Sequence, residues 1–245
     1  MLNENVILAQ NAMIKKTTAA ILYETNSDLV IENVDVAAPG PKEVFVQMGA
    51  AGVCHSDVHV ISGQAQQLMP CVLGHEGAGL VTSIGDDVSR VSVGDHVILS
   101  WLPYCENCYQ CIRGKTHLCK AFQTPVGNGT LLDGSFRFSN KHGPIRQLGS
   151  LGCWSENVVV SEECCVPINR SIPFEIAALL GCAVTTGVGA VLNRAKVQKG
   201  ETVVVIGAGG VGLSVVMAAK LQGASQIICI DTVSYTHLRA HETAM

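Results

Sequence analysis

The chain has 245 residues, with 16 basic against 20 acidic side chains and a formal net charge of −4. That balance gives no basic surface for nucleic acid or an anionic membrane, and both are excluded as expected partners. Hydrophobic residues reach 48 %, enough for the core of two domains. No apolar run is expected to reach bilayer length, and no export leader is read at the start, so a cytoplasmic protein is expected.

Met1 to Asn11 carries no readable pattern, and Met13-Ile14-Lys15-Lys16 is the more natural beginning. Ala19 to Tyr23 and Leu29 to Ile31 read as strands. Pro39-Gly40-Pro41 is a turn, and Glu43 to Gly52 a further strand. Short strands and glycine turns are expected to continue to about residue 100, drawing on Val81, Ile84, Val88, Val91, Val93, Val97 and Ile98. This pattern predicts a β-rich, barrel-like domain. A cysteine-rich lobe follows from Cys105 to Cys119. Gly127 to Gly152 reads as loop, and Asn157 to Val160 as strand. From Pro173 the pattern turns helical through Phe174 to Leu180. Val203 to Ile206 is a β-branched run of the kind found in buried parallel strands. Gly210 to Leu221 then reads as helix and Gln226 to Ile230 as a second strand. Residues 232–245 show no core-forming period and are expected to be a non-native tail.

Three groups of residues point to chemistry. Cys105, Cys108, Cys111 and Cys119 are spaced C-x2-C-x2-C-x7-C. Two-residue gaps let successive thiolates turn onto one ion, so a closed, structural zinc site is expected over disulfides. His75 and Glu76, adjacent in Gly74-His75-Glu76, offer an imidazole and a carboxylate to a metal. Gly207-Ala208-Gly209-Gly210-Val211-Gly212 follows a strand and opens a helix, as G-x-G-x-x-G does in dinucleotide sites. Asp231 ends the next strand, where an acid hydrogen-bonds a ribose 2′-hydroxyl and repels a 2′-phosphate. NAD is therefore expected over NADP.

The run Gly74-His75-Glu76, Gly79, Gly85, Val88, Gly94-Asp95 and Val97 resembles the zinc-dependent alcohol dehydrogenases of the medium-chain dehydrogenase/reductase family. The resemblance runs from about Lys15 to Asp231. It implies an α/β chain: a GroES-like catalytic domain over 13–180 with the zinc lobe at 105–119, then the first part of a Rossmann domain over 181–231. It also implies a C-terminally truncated chain, whose full-length parent is a homodimer. Two zinc ions are implied, one structural and one catalytic. Cys54, His75 and Cys182 are the implied ligands of the catalytic zinc, with Glu76 as a transient ligand and Asp57 bonded to the far nitrogen of His75. Alone, Cys182 reads equally as a core residue of an apolar helix.

In the family a Ser or Thr at the Ser56 position passes the alcohol proton through the cofactor ribose to a histidine at the His59 position; alone, Ser56 reads as a helix or turn cap and His59 as a surface histidine. Thr186, Gly210 and Val211 match cofactor positions, and His55 a pyrophosphate position. Trp101 matches the pocket beside the zinc, or is a packed aromatic. The glutathione-dependent formaldehyde dehydrogenases are similar from Gly52 to Gly79, but carry Arg at the Gln123 position and Tyr at the His59 position. A primary alcohol or aldehyde, aromatic or allylic, is the expected substrate, with hydride passing to or from NAD. The alternatives are a related zinc reductase and a zinc-binding fragment that catalyses nothing.

Overall fold

Residues 15–232 are described by a computed structural model, in two units, one ending at Gly181 and the other beginning at Cys182. In the first, β1 (Lys15–Leu22) and β2 (Val30–Val36) pair antiparallel from Lys15↔Val36 to Ile21↔Val30. Alternation turns Thr17, Ala19 and Ile21 of β1 inward, where they are buried. β4 (Cys71–Val72), β7 (Phe138–Asn140) and β8 (Gly143–Gln147) join them in a closed barrel. A five-stranded sheet is made by β3 (Glu43–Ala51), β5 (Gly77–Ile84), β6 (His96–Leu99), β9 (Asn157–Ser161) and β10 (Cys165–Ile168), in the order β10-β6-β5-β3-β9. Val44, Val46, Val81, Val97, Val158, Phe138 and Ile145 lie together in one buried core. Truncating a buried side chain of the size of Phe138 costs about 3–5 kcal/mol, which is the scale on which this core resists change.

Four expectations need correction. The Gly127–Gly152 stretch, read as loop, holds the end of α2 (Gln123–Asn128) and both β7 and β8, so it closes the barrel. These strands are too short to show a period, and one inward position is a glutamine. Gln147 is 1 % exposed and donates Nε2 to the carbonyls of Leu151 and Val159, so a polar letter fills a core site. The residues after Cys54, to which the sequence assigns no element, form a helix, α1 (His55–Ile61). Val88, Val91 and Val93 lie outside strands; Val91 is buried in the core from a loop, and Val93 is exposed. Finally, the helical run Phe174–Ala195 has 22 residues and mean hydropathy 1.8, enough by length and composition to span a bilayer. Its glycines and threonines interrupt an apolar count without adding charge. Its α3 segment (Phe174–Leu179) buries Ala177 and Ala178 in a cluster with Ala78.

The second unit holds α4 (Thr185–Gly189), β11 (Thr202–Ile206), α5 (Gly210–Leu221) and β12 (Gln226–Ile230). β11 and β12 are parallel, in register from Thr202↔Gln226 to Ile206↔Ile230. Gly187 brings α4 close to α5, since a Cβ there would meet Ser214 Cβ at 2.5 Å. β11 is parallel as expected, but not buried: Val205 is 6 % exposed while Ile206 is 85 % exposed. Among the described residues only one further strand lies beside it.

Candidate metal centres and nucleotide cradle

The four-cysteine lobe is shaped by left-handed turns at Glu106 and Gly114 and by the Ile112 amide bonded to the Cys108 carbonyl. Neighbouring sulfurs lie 3.5 Å (Cys108–Cys111), 3.6 Å (Cys105–Cys119) and 4.0 Å (Cys105–Cys111, Cys108–Cys119) apart. Four sulfurs at zinc-bond length on a tetrahedron stand about 3.8 Å apart, against about 2 Å in a disulfide. All 11 cysteines are free thiols. The backbone amide of Cys111 lowers the Cys108 thiol to about 6, whereas burial, then the sulfurs of Cys108 and Cys119, push Cys111 up to about 12. Such a set ionises fully only around a cation, and its donors fit zinc.

A second cluster lies in the first unit. The ligand atoms of Cys54, His75 and Glu76 lie within 4.8 Å of one another, and His75 and Glu76 are buried. Asp57 holds the cluster together. Its side chain is fully buried; Oδ2 accepts the amide of Cys54 at 3.0 Å, and Oδ1 faces the Gly74 amide at 3.2 Å and His75 Nδ1 at 3.1 Å. A carboxylate accepts, so Nδ1 carries the proton and Nε2 is left as the donor to a metal. Glycines allow the close approach. A Cβ on Gly52 would meet Glu76 Oε2 at 2.2 Å, and one on Gly74, at φ +87°, would meet Trp154 Cδ1 at 2.4 Å. Gly181 ends the unit against the same backbone, 2.8 Å from Leu99 O and 3.7 Å from the Glu76 Cα measured from its would-be Cβ. Cys182 follows by one peptide bond, as the first residue of the second unit.

Ser56 and His59 both sit on α1, and Ser56 Oγ is 3.7 Å from Cys54 Sγ. The rings of His55 and His59 meet edge to face at 4.6 Å. His59 Nδ1 is paired with the side chain of Gln64, a residue the sequence did not single out. The Trp101 ring stands edge-on to His75 at 6.2 Å and packs against the core. It also lines a cavity of about 230 Å³ with Phe122, Gln123 and Val126. The packed position of Trp101 is what the structure shows; the cavity's other walls include Thr116, His117 and Cys119 of the four-cysteine lobe.

In the second unit, β11 passes into Gly207 at φ +98°, and Gly209 caps α5. A Cβ on Gly212 would fall 1.8 Å from Gly207 O, while at Gly207 and Gly209 it would meet nothing within 4 Å. The third glycine thus serves packing, and the first two leave open space where a pyrophosphate would approach the helix N-terminus. Asp231 Oδ2 accepts the Ala208 amide at 2.6 Å, placing this carboxylate beside the glycine turn. Val211 stands in the first turn of α5, next to Gly210, and Thr186 is exposed on α4.

Residues 40–170 match the model of the alcohol dehydrogenase GroES-like domain. An S-(hydroxymethyl)glutathione dehydrogenase of Saccharomyces cerevisiae is 47 % identical over 88 % of this chain and 56 % of its own length. Among solved structures, an alcohol dehydrogenase zinc-binding domain protein from Burkholderia ambifaria superposes with a TM-score of 0.88 at 33 % identity, covering 94 % of this chain and 62 % of that one. A benzyl alcohol dehydrogenase from Acinetobacter calcoaceticus gives 0.86 at 32 % identity, with the same coverage. The chain spans 56 % to 60 % of the length of the curated relatives it matches.

Proposed function

Because the chain belongs to the alcohol dehydrogenase family built on a GroES-like domain, we propose that it represents a zinc- and NAD-dependent oxidoreductase acting on a primary, aromatic or allylic alcohol or its aldehyde. The observation that carries this reading is the buried Asp57–His75 pair beside Cys54 and Glu76. A histidine oriented by a carboxylate, within 4.8 Å of a cysteine sulfur and a second carboxylate, is a donor set that fits zinc. We assign Cys182 as the further ligand on its match to the family's ligand position. Cys105, Cys108, Cys111 and Cys119 hold the structural ion.

When bound, zinc would supply Lewis acidity toward an alcohol hydroxyl and NAD would supply the hydride acceptor. The chain's own residues do the rest. Ser56 Oγ would accept the alcohol proton while giving up its own, and His59 is assigned as the base that finally discharges a proton toward solvent. Trp101 narrows the pocket and orients a flat substrate. Gly207, Gly209, Gly210 and Gly212 would leave room for a pyrophosphate, Thr186 and Val211 would serve the nicotinamide, and Asp231 would select NAD by its negative charge; His55 is assigned to the pyrophosphate on its match to the family position alone. The benzyl alcohol dehydrogenase supports an aromatic substrate. Gln123 on the cavity wall, in place of an arginine, argues against a glutathione carboxylate. The reading includes a cytoplasmic location and, for the whole protein, a homodimer.

The test measures zinc per purified chain together with NAD reduction by benzyl alcohol and by S-(hydroxymethyl)glutathione. Two ions per chain and a benzyl alcohol activity lost in Cys54→Ser are expected. One ion and no NAD binding would instead establish the rival reading, a zinc-binding fragment without catalysis. Faster turnover of the glutathione adduct would overturn the substrate assignment.

A further inference from the structure

His59 lies in the last turn of α1, and its ring has a fixed partner. Its Nδ1 lies 2.5 Å from Gln64 Oε1. An amide oxygen only accepts, so Nδ1 must carry the hydrogen; in the neutral ring this leaves the lone pair on Nε2. The contact is built by the backbone. Gly63, at φ +73°, reverses the chain after α1. The Ala65 amide then bonds the His59 carbonyl at 2.9 Å, and Ser62 Oγ bonds the same oxygen at 3.3 Å. The Asn26 amide pins the Ile61 carbonyl at 2.6 Å. Gln64 is thus carried by a turn tied to the residue whose ring it contacts. The titratable group facing that ring is His55, edge to face. Asp57, on the same helix, is committed to Cys54, Gly74 and His75.

We propose that Gln64 is a positioning residue for the proton relay: it accepts the Nδ1 hydrogen of His59 and so keeps Nε2 unprotonated, ready to receive a proton. The inference rests on the reading of His59 as the base. A proton arrives on Nε2, the ring becomes cationic with Nδ1–H still bonded to Gln64, and Nε2 returns the proton to solvent. A glutamine suits this better than a carboxylate, which would hold the cation and slow its discharge.

The test is ¹⁵N NMR of the ring nitrogens in histidine-labelled chain, for the wild type, Gln64→Leu and Gln64→Glu. Gln64 is exposed, so the variants should fold. The wild type should show Nδ1–H as the neutral form of His59. Gln64→Leu should lose that preference, and Gln64→Glu should restore it while moving His59 protonation to higher pH. In alcohol oxidation, Gln64→Leu should lower kcat by roughly threefold to tenfold, the scale of one hydrogen bond, with KM for the alcohol little changed. An Nε2–H form in the wild type, or no change in Gln64→Leu, overturns the proposal and leaves the relay standing. Full activity in His59→Gln overturns the relay, and Gln64's catalytic part with it, whatever the tautomer.

Discussion

Asp57 shows how much one buried carboxylate can organise. It holds an amide before α1, an amide before His75, and His75 itself. Asp57→Asn should weaken zinc at the Cys54–His75 site by about 10- to 100-fold while leaving the four-cysteine site unchanged, as read by chelator competition. Glu162 does comparable work away from any chemistry. It is 3 % exposed, and its Oε2 accepts the amides of Ser89 at 2.8 Å and Arg90 at 3.0 Å. Burial acts to raise its pKa, but the two amides together with the charges of Lys42 and Arg90 outweigh it and hold the carboxyl below the usual range. A depressed folded pKa stabilises above the unfolded value, about 4.3, and that stability is lost as pH falls through the folded value. Glu162→Gln should therefore cost about 1.5–3 kcal/mol at pH 7, and much less near pH 3, in urea unfolding at the two pH values. At this scale the cysteine spacing was legible because zinc imposes it on the sequence. Gln64 was not, because its role depends on a turn that returns the chain to His59.

At the scale of elements, the glycine turn between β11 and α5 has the least tolerance. A methyl on Gly212 would sit 1.8 Å from the Gly207 carbonyl, and backbone cannot yield that much without opening the turn. Gly212→Ala should abolish NAD binding in a fluorescence titration, with the zinc content of the four-cysteine lobe intact. Cys108→Ser tests the opposite half. Removing one of four thiolates should release one zinc per chain and expose residues 105–119 to proteolysis, since ion binding couples to the order of such a lobe. α5 and β12 were readable to the residue, because a glycine motif marks the start of one and a β-branched run fills the other. β7 and β8 were hidden, because barrel closure needs only a few inward positions, among them Phe138, Ile145 and the polar Gln147.

For the molecule as a whole, the thiols divide by environment. Cys71, Cys153, Cys164 and Cys165 are buried, and burial raises each, Cys71 to about 12. Cys229 is exposed. In zinc-loaded protein a maleimide should modify Cys229 first and reach those four only on unfolding, as followed by mass spectrometry. β-rich architecture was legible from the density of glycine turns and β-branched residues, but the partners of each strand were not. Pairing is settled by distance in space, and here the distances in sequence are long: Asp35 of β2 pairs with Ser139, and Cys71 of β4 with Arg146. That order has a consequence at the ribosome. The first strands leave the exit tunnel without the partners that close their barrel, and at about 5–20 residues per second those partners arrive on the order of ten seconds later. For that interval the apolar sides of β1 and β2 are available to chaperones, and a stall in translation before Gln147 would leave a nascent chain that cannot complete its first domain.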